Sequence, residues 1–312
     1  MSYADKVFKE MCTNIIQNGI DTTGELVRPK WEDGTYAYTK KIFGVVNRYD
    51  LRKEFPVTTL RRTAIRSAMD EILWIYQKKS NNIKDLNSHV WDEWADEEGT
   101  IGFAYGYQIG KTYLHHMIDD RDEEAIRDLS NYPSFKDQSS YHQDHRLSVY
   151  LDQIDGVLYD LKHTPFSRRI MTNMYNFDDL YAMHLYPCAY SCTFNVTKNE
   201  NDKLVLNLLL NQRSQDVLAA GNWNDVQYAL LLMMIAQSVD MIPGELIHVI
   251  SDCHIYDRHI DIVKELITRE EYPAPKVWLN PEVKNFYDFT TNDLHVENYK
   301  YGEQIKNIPI AV

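Results

Sequence analysis

The sequence predicts an α+β fold: a large mixed β-sheet packed around one buried central helix, with surrounding helices, in a single domain. Three observations carry this. The stretch "VQYALLLMMIAQSV" (226–239) is apolar on nearly every side, and a helix hydrophobic all round is buried. Strand-like segments crowd the second half of the chain on either side of it. Three further segments carry one-sided apolar stripes at helical spacing.

In chain order, Val7, Phe8, Met11, Cys12, Ile15 and Ile16 place a helix over 3–18, closed by Gly19, with Cys12 in its core stripe. "TYAYTKKIFGVVNRYD" (35–50) reads as strand with turns, and "RTAIRSAMDEILWIYQKK" (62–79) as a helix faced by Ala64, Ala68, Ile72 and Ile75. Residues 112–147 are polar, rich in Asp, Glu, Ser and His, and read as a surface insertion with one short helix. Leu147, Leu151, Ile154, Leu158 and Leu161 then recur at three- and four-residue steps, an amphipathic helix ending before Pro165. Strands are expected at 168–175, 189–196, 203–210, 245–256 and 293–299, with "NENDK" (199–203) a hairpin turn.

Composition narrows the function classes. A 312-residue chain that is 44% hydrophobic can build its own core without disulfide staples. Its four cysteines are scattered in no zinc or disulfide pattern, which points to a reducing, cytoplasmic setting. The N-terminus lacks a signal-peptide h-region, and no apolar run reaches membrane-spanning length. A net charge of −13 argues against a protein that grips nucleic acid through its phosphates. A small anion needs only a local arginine cluster.

Several residues could carry chemistry, each with a plainer alternative. Cys188, after Pro187, is a pocket nucleophile or a buried small hydrophobe. On one extended strand it and Cys192 face the same way, too far apart to bond. In "NQRSQD" (211–216), Arg213 beside Ser214 is a natural phosphate grip, or the polar start of a loop. Asn224 in "GNWND" is a helix N-cap or a carboxamide that reads a base edge. In "SDCHIY" (251–256), Asp252, His254 and Tyr256 share one strand face and Cys253 takes the other. That polar face is either solvated or functional. Arg168 and Arg169 are surface charge or anion ligands, including for a neighbouring subunit. Trp91 and Trp94 are core or a stacking wall for a ring. Glu71 is a proton-relay carboxyl if buried or a helix-surface acid, with its neighbour Asp70 facing outward or sideways. His115, His116, His142 and His145 lack a carboxylate–histidine framework, so no metal site is expected.

Together these segments resemble thymidylate synthase over nearly the whole chain outside 112–147. The matching blocks are "WDEWAD", "SRRI", "PC", "QRSQD", "YALLLMMIAQ", "SDCHIY" and the ending "IPIAV", in order, with "PCAY" and "VWLNPEV" suggesting a divergent bacterial or phage branch. The resemblance implies reductive methylation of dUMP to dTMP, with methylenetetrahydrofolate as carbon donor and reductant and dihydrofolate as product. It implies that Cys188 adds to C6 of uracil, beside Arg213. Further implied substrate ligands are Arg28, Gln212 and Ser214, with Arg168 and Arg169 donated across a homodimer. Asn224 would read the base edge, and His254 and Tyr256 would hold the deoxyribose hydroxyl. Glu71 would organise protons near O4, and Tyr105 would assist loss of the C5 proton. Asp216, Trp91, Trp94 and the tail residues Ala311 and Val312 would serve the folate side. Three positions depart from the family pattern: Ala189 where a histidine is frequent, Ala220 in place of a glycine, and Arg61 where a lysine is common.

Three competing readings remain. A deoxycytidylate hydroxymethylase would share the fold but carry aspartate at the Asn224 position. Asp225 is adjacent, and the fixed run from Asp216 to Tyr228 favours Asn224. A non-catalytic nucleotide- or RNA-binding protein on the scaffold would not need Cys188, Arg213, Asn224 and Tyr256 together; nothing in the sequence supports RNA binding. A Cys-His hydrolase using His254 leaves the arginines and the tryptophan pair unexplained.

Overall fold

A computed structural model describes residues 1–138, 140–141 and 144–311. The elements in chain order are α1 (Tyr3–Asn18), β1 (Ile20–Asp21), β2 (Thr39–Asp50), α2 (Ile65–Tyr76), α3 (Gly106–Ile109), β3 (Tyr113–Asp119), α4 (Glu123–Leu129), α5 (Pro133–Gln138), β4 (Ser140–Tyr141), β5 (Arg146–Leu151), α6 (Gln153–His163), β6 (Met171–Asn173), β7 (Ala189–Lys198), β8 (Leu204–Asp216), α7 (Gly221–Ser238), β9 (Ile242–Tyr256), α8 (Ile260–Leu266), β10 (Lys276–Leu279) and β11 (Leu294–Glu297). They fall into two compact units. One holds Met1–Asp70, Cys188–Tyr190 and Lys198–Val312; the other holds Glu71–Pro187 and Ser191–Thr197.

In the first unit β9 is the hub. It pairs antiparallel with β2, which pairs with β1, and parallel with β8, so the sheet is mixed. The all-apolar helix α7 packs on β8 and β9, as its sequence requires, with Tyr228 through Leu232 buried. Its N-cap is Ala220, so Asn224 lies inside the first turns and its side chain is released from capping. Elsewhere α1 and α8 cover the sheet, and Cys12, Ile15, Cys253, Ile255 and Leu266 share one core cluster.

The period-two alternation of β9 changes character along its length. On the even side Leu246, His248 and Ile250 are buried, then Asp252, His254 and Tyr256 follow. On the odd side half-buried Glu245, Ile247, Val249 and Ser251 give way to core Cys253 and Ile255. One strand thus delivers a polar row on one face while the other face enters the core.

The second unit contains the antiparallel pair β6–β7 and a three-stranded antiparallel sheet in the order β3–β5–β4. The polar segment 112–147 is therefore more structured than the single short helix expected: it holds β3, α4, α5, β4 and the start of β5. The helix expected from Leu147 begins only at Gln153. Leu147, Val149 and Leu151 alternate into the interior as a strand. Asp152 then caps α6 by accepting from Asp155 N at 3.0 Å. The leucine spacing satisfies both periods, and the β-branched Val149 with the cap residue decides between them. Only Met171–Asn173 of the strand expected over 168–175 forms, and β10, paired with β11, was not anticipated.

The short helix α4 carries an N-cap. Asp122 accepts from Ala125 N at 3.0 Å on an exposed surface. Asp122→Ala is expected to cost about 1 kcal/mol and to speed amide hydrogen exchange over Glu123–Leu129. Unchanged exchange there would refute the cap's role.

Candidate active site

The polar end of β8 and β9 builds the site in the first unit. "NQRSQD" does not leave the sheet as a loop; β8 runs through Asp216, with Ser214 opposite Asp252 and Asp216 opposite His254. On the other side of β9, Lys41 faces His254 and Thr39 faces Tyr256. Arg28, Arg213, Ser214, His254, Tyr256 and Ala311 therefore line one cavity of about 380 Å³, together with Lys41 and Asp252. Val312 and His142 lie outside the described residues.

Cys188 is held at this site through β8. Arg213 N donates to Cys188 O at 2.9 Å, and Arg213 Nη2 lies 3.6 Å from Cys188 Sγ. Cys188 is half-buried, whereas Cys12, Cys192 and Cys253 are buried. Burial pushes the Cys188 thiol above its ordinary value, while Arg213 and Arg28 pull it down. The cation expected to favour thiolate is in place, but desolvation outweighs it. Cys192 has another job: Tyr76 Oη sits 3.5 Å from its sulfur and 3.4 Å from Thr172 Oγ1.

His254 is oriented by Asp252. His254 Nδ1 is 2.8 Å from Asp252 Oδ1, and Lys41 Nζ donates to Asp252 Oδ2 at 2.7 Å. Burial opposes ionisation of Asp252, yet these two bonds win and hold its carboxyl below the usual range. Burial, reinforced by Asp216, pushes the Tyr256 phenol up to about 12, so it remains a neutral hydroxyl. Lys41 escaped the sequence reading because its partner is brought to it by the β2–β9 register.

Asp216 Oδ1 accepts from Leu218 N at 3.0 Å and Ala219 N at 3.2 Å, which fixes the turn into α7. His259, fully buried, stands 3.4 Å from the same oxygen and 2.8 Å from Pro309 O. Burial opposes its protonation, but Asp216 and the Pro309 carbonyl raise its pKa overall. It ties Asp216 to the C-terminal segment, a link no local pattern announced. Arg61 donates to Leu218 O.

Glu71, Trp91, Trp94, Tyr105, Arg168 and Arg169 belong to the second unit. Glu71 is 6% exposed, so the helix-surface alternative fails, and it accepts from Trp91 Nε1 at 2.9 Å. Asp70, expected to face outward or sideways, is buried too. Trp91 meets Tyr105 at 4.8 Å and Trp94 at 5.7 Å, both edge-on. Tyr105 has φ 48°, a left-handed conformation uncommon for a bulky residue. Strain of this kind clusters at functional positions. Arg168 and Arg169 are exposed ahead of β6.

Known proteins bear on this constellation. The thymidylate synthase family model matches residues 6–312. A thymidylate synthase of Bacillus licheniformis is 39% identical over 309 residues, 98% of each chain. The thymidylate synthase of Bacillus phage phi3T is 38% identical over the same span and coverage. The solved thermostable thymidylate synthase A from Bacillus subtilis superposes with a TM-score of 0.81 at 38% identity, covering 99% of both chains. With its sequence aligned end to end and its fold shared, the chain belongs to the thymidylate synthase family.

Proposed function

We propose that this enzyme converts dUMP to dTMP, consuming methylenetetrahydrofolate and releasing dihydrofolate. The observation that carries the reading is the half-buried Cys188, its sulfur 3.6 Å from an Arg213 that lines a pocket with a second arginine, a serine, a histidine and a tyrosine. Arg28, Arg213 and Ser214 suit a phosphomonoester, because charge-assisted donors bind such an anion strongly even in an acidic protein. Arg168 and Arg169 complete that phosphate site from the partner of a cytoplasmic homodimer. The half-open sheet face of Val46, Ile247 and Val249 supports such a dimer. His254 and Tyr256 take the sugar hydroxyl.

The reaction needs C5 of uracil to become nucleophilic. Addition of the Cys188 thiolate to C6 supplies this, splitting one hard step into easier ones. Negative charge moves to O4 and C5 as the bond forms. The Asn224 carboxamide, which can donate to O4 and accept from N3–H, suits that edge. By their family match, Glu71 and Tyr105 are assigned to proton handling, Trp91, Trp94, Asp216 and Ala311 to the folate side, and Gln212 to the nucleotide. Methylenetetrahydrofolate supplies the one-carbon unit and the reducing equivalents. Loss of the C5 proton and departure of the Cys188 sulfur from C6 then restore the C5–C6 double bond.

The deciding experiment offers purified enzyme dUMP or dCMP with methylenetetrahydrofolate and follows dihydrofolate and dTMP. Stoichiometric dihydrofolate with dUMP is expected. Turnover of dCMP in its place would overturn the reading in favour of a hydroxymethylase.

A further inference from the structure

Behind Asn224 lies a buried hydrogen-bond chain that the reaction as described does not use. Asn224 Oδ1 accepts from Gln212 Nε2 at 3.2 Å, and Asn224 Nδ2 donates to Gln227 Oε1 at 3.0 Å. Gln212 Oε1 is 2.7 Å from His248 Nε2, and His248 Nδ1 is 2.8 Å from Asp225 Oδ1. Tyr49 Oη donates to Asp225 Oδ2 at 3.3 Å. His248 is 0% exposed, and Tyr49, Gln212, Asp225 and Gln227 are all buried. Asp225 and His248 are not among the residues that line the cavity.

The direction of this chain is set by groups that cannot turn round. Gln212 Nε2 also donates to Ser214 O at 3.0 Å, and a backbone carbonyl only accepts. Gln212 must therefore point its oxygen at His248, and the ring nitrogen there must donate. Asp225 holds the ring's other nitrogen and so keeps the imidazole in register with Gln212. At the far end, Asn224 must present its oxygen to Gln212 and its nitrogen to Gln227. Gln227 keeps that arrangement although its own Nε2 is buried without a partner. Asn224 is left with one N–H and one oxygen lone pair in a fixed order.

That order is a choice of base. A uracil edge offers an acceptor at O4 and a donor at N3. A cytosine edge offers a donor at N4 and an acceptor at N3. Turning the Asn224 amide over exchanges one match for the other. We propose that Asp225 and His248 are specificity-positioning residues, which lock the Asn224 carboxamide in the orientation that accepts uracil and rejects cytosine. This inference rests on the dUMP reading of the site.

The test is the ratio of Kd for dCMP to Kd for dUMP, measured by calorimetry alongside Tm. The wild-type ratio comes first: no preference for dUMP would defeat the reading of the site itself, separately from the relay. Given that preference, Asp225→Leu and His248→Phe are expected to lower the ratio by about tenfold or more, because the unpaired polar groups left behind can rearrange. Asp225→Asn and His248→Gln, which can still meet their neighbours, should stay within about threefold of wild type. A purely structural role would lower Tm and weaken both nucleotides alike, leaving the ratio unchanged, and that result overturns the proposal. Tyr49→Phe removes only the long outer bond and should lower the ratio by about threefold. If it alone folds, its ratio decides, an unchanged value again overturning the inference.

Discussion

Replacing Cys188 by serine is expected to lower dTMP formation by a factor on the order of 10⁴ or more, the scale of losing a covalent nucleophile. Its dUMP affinity should stay within about threefold, because the phosphate ligands are untouched. The substitution is nearly isosteric at a partly exposed position, so the backbone bond from Arg213 N to residue 188 survives. What is lost is an anion. Although burial holds its pKa above the ordinary value, a thiol that two arginines pull toward ionisation can still form an anion. A serine hydroxyl there cannot. Turnover assays paired with calorimetry and a melting curve check all three expectations. Turnover by the serine enzyme within tenfold of wild type would refute covalent catalysis at this residue.

The sequence made legible whatever depends on local period or on ordered motifs. The all-apolar α7, the core stripe of α1 with Cys12, and the shared face of Asp252, His254 and Tyr256 follow from spacing alone. Three kinds of feature were not legible. Where one pattern fits two periods, as at Leu147 and Leu151, the strand–helix boundary is settled by tertiary packing. Where polar residues stay in a strand, as from Asn211 to Asp216, composition suggests a loop while parallel pairing to β9 keeps the chain extended. Pairings across long sequence separations leave no local trace: Lys41 with Asp252, Asp225 with His248, and Glu71 with Trp91. Glu71 shows the difference most clearly. Its helix position admits both an exposed and a buried carboxyl, and only the tryptophan from a later segment selects the second.

Arg213→Ala is expected to lower kcat/KM for dUMP by about 10²- to 10³-fold, the combined loss of a charge-assisted contact and of the cation beside the nucleophile. The two contributions separate by pH. Arg213 opposes the burial that raises the Cys188 pKa, so removing it raises that pKa further. The thiolate fraction at a fixed pH just below the thiol pKa then falls. Alkylation of Cys188 by iodoacetamide should accordingly follow a pH curve displaced upward in the alanine enzyme, whether or not nucleotide is present. Cys12, Cys192 and Cys253 are buried with raised pKa values and should not compete. Arg213→Lys provides the internal check. An ammonium restores a point charge near sulfur but not the planar fork that grips phosphate. The lysine enzyme should therefore recover much of the alkylation profile and of kcat while KM for dUMP stays high. An alanine enzyme with an unshifted alkylation curve would confine Arg213 to phosphate binding and leave Arg28 as the cation that tunes the thiol.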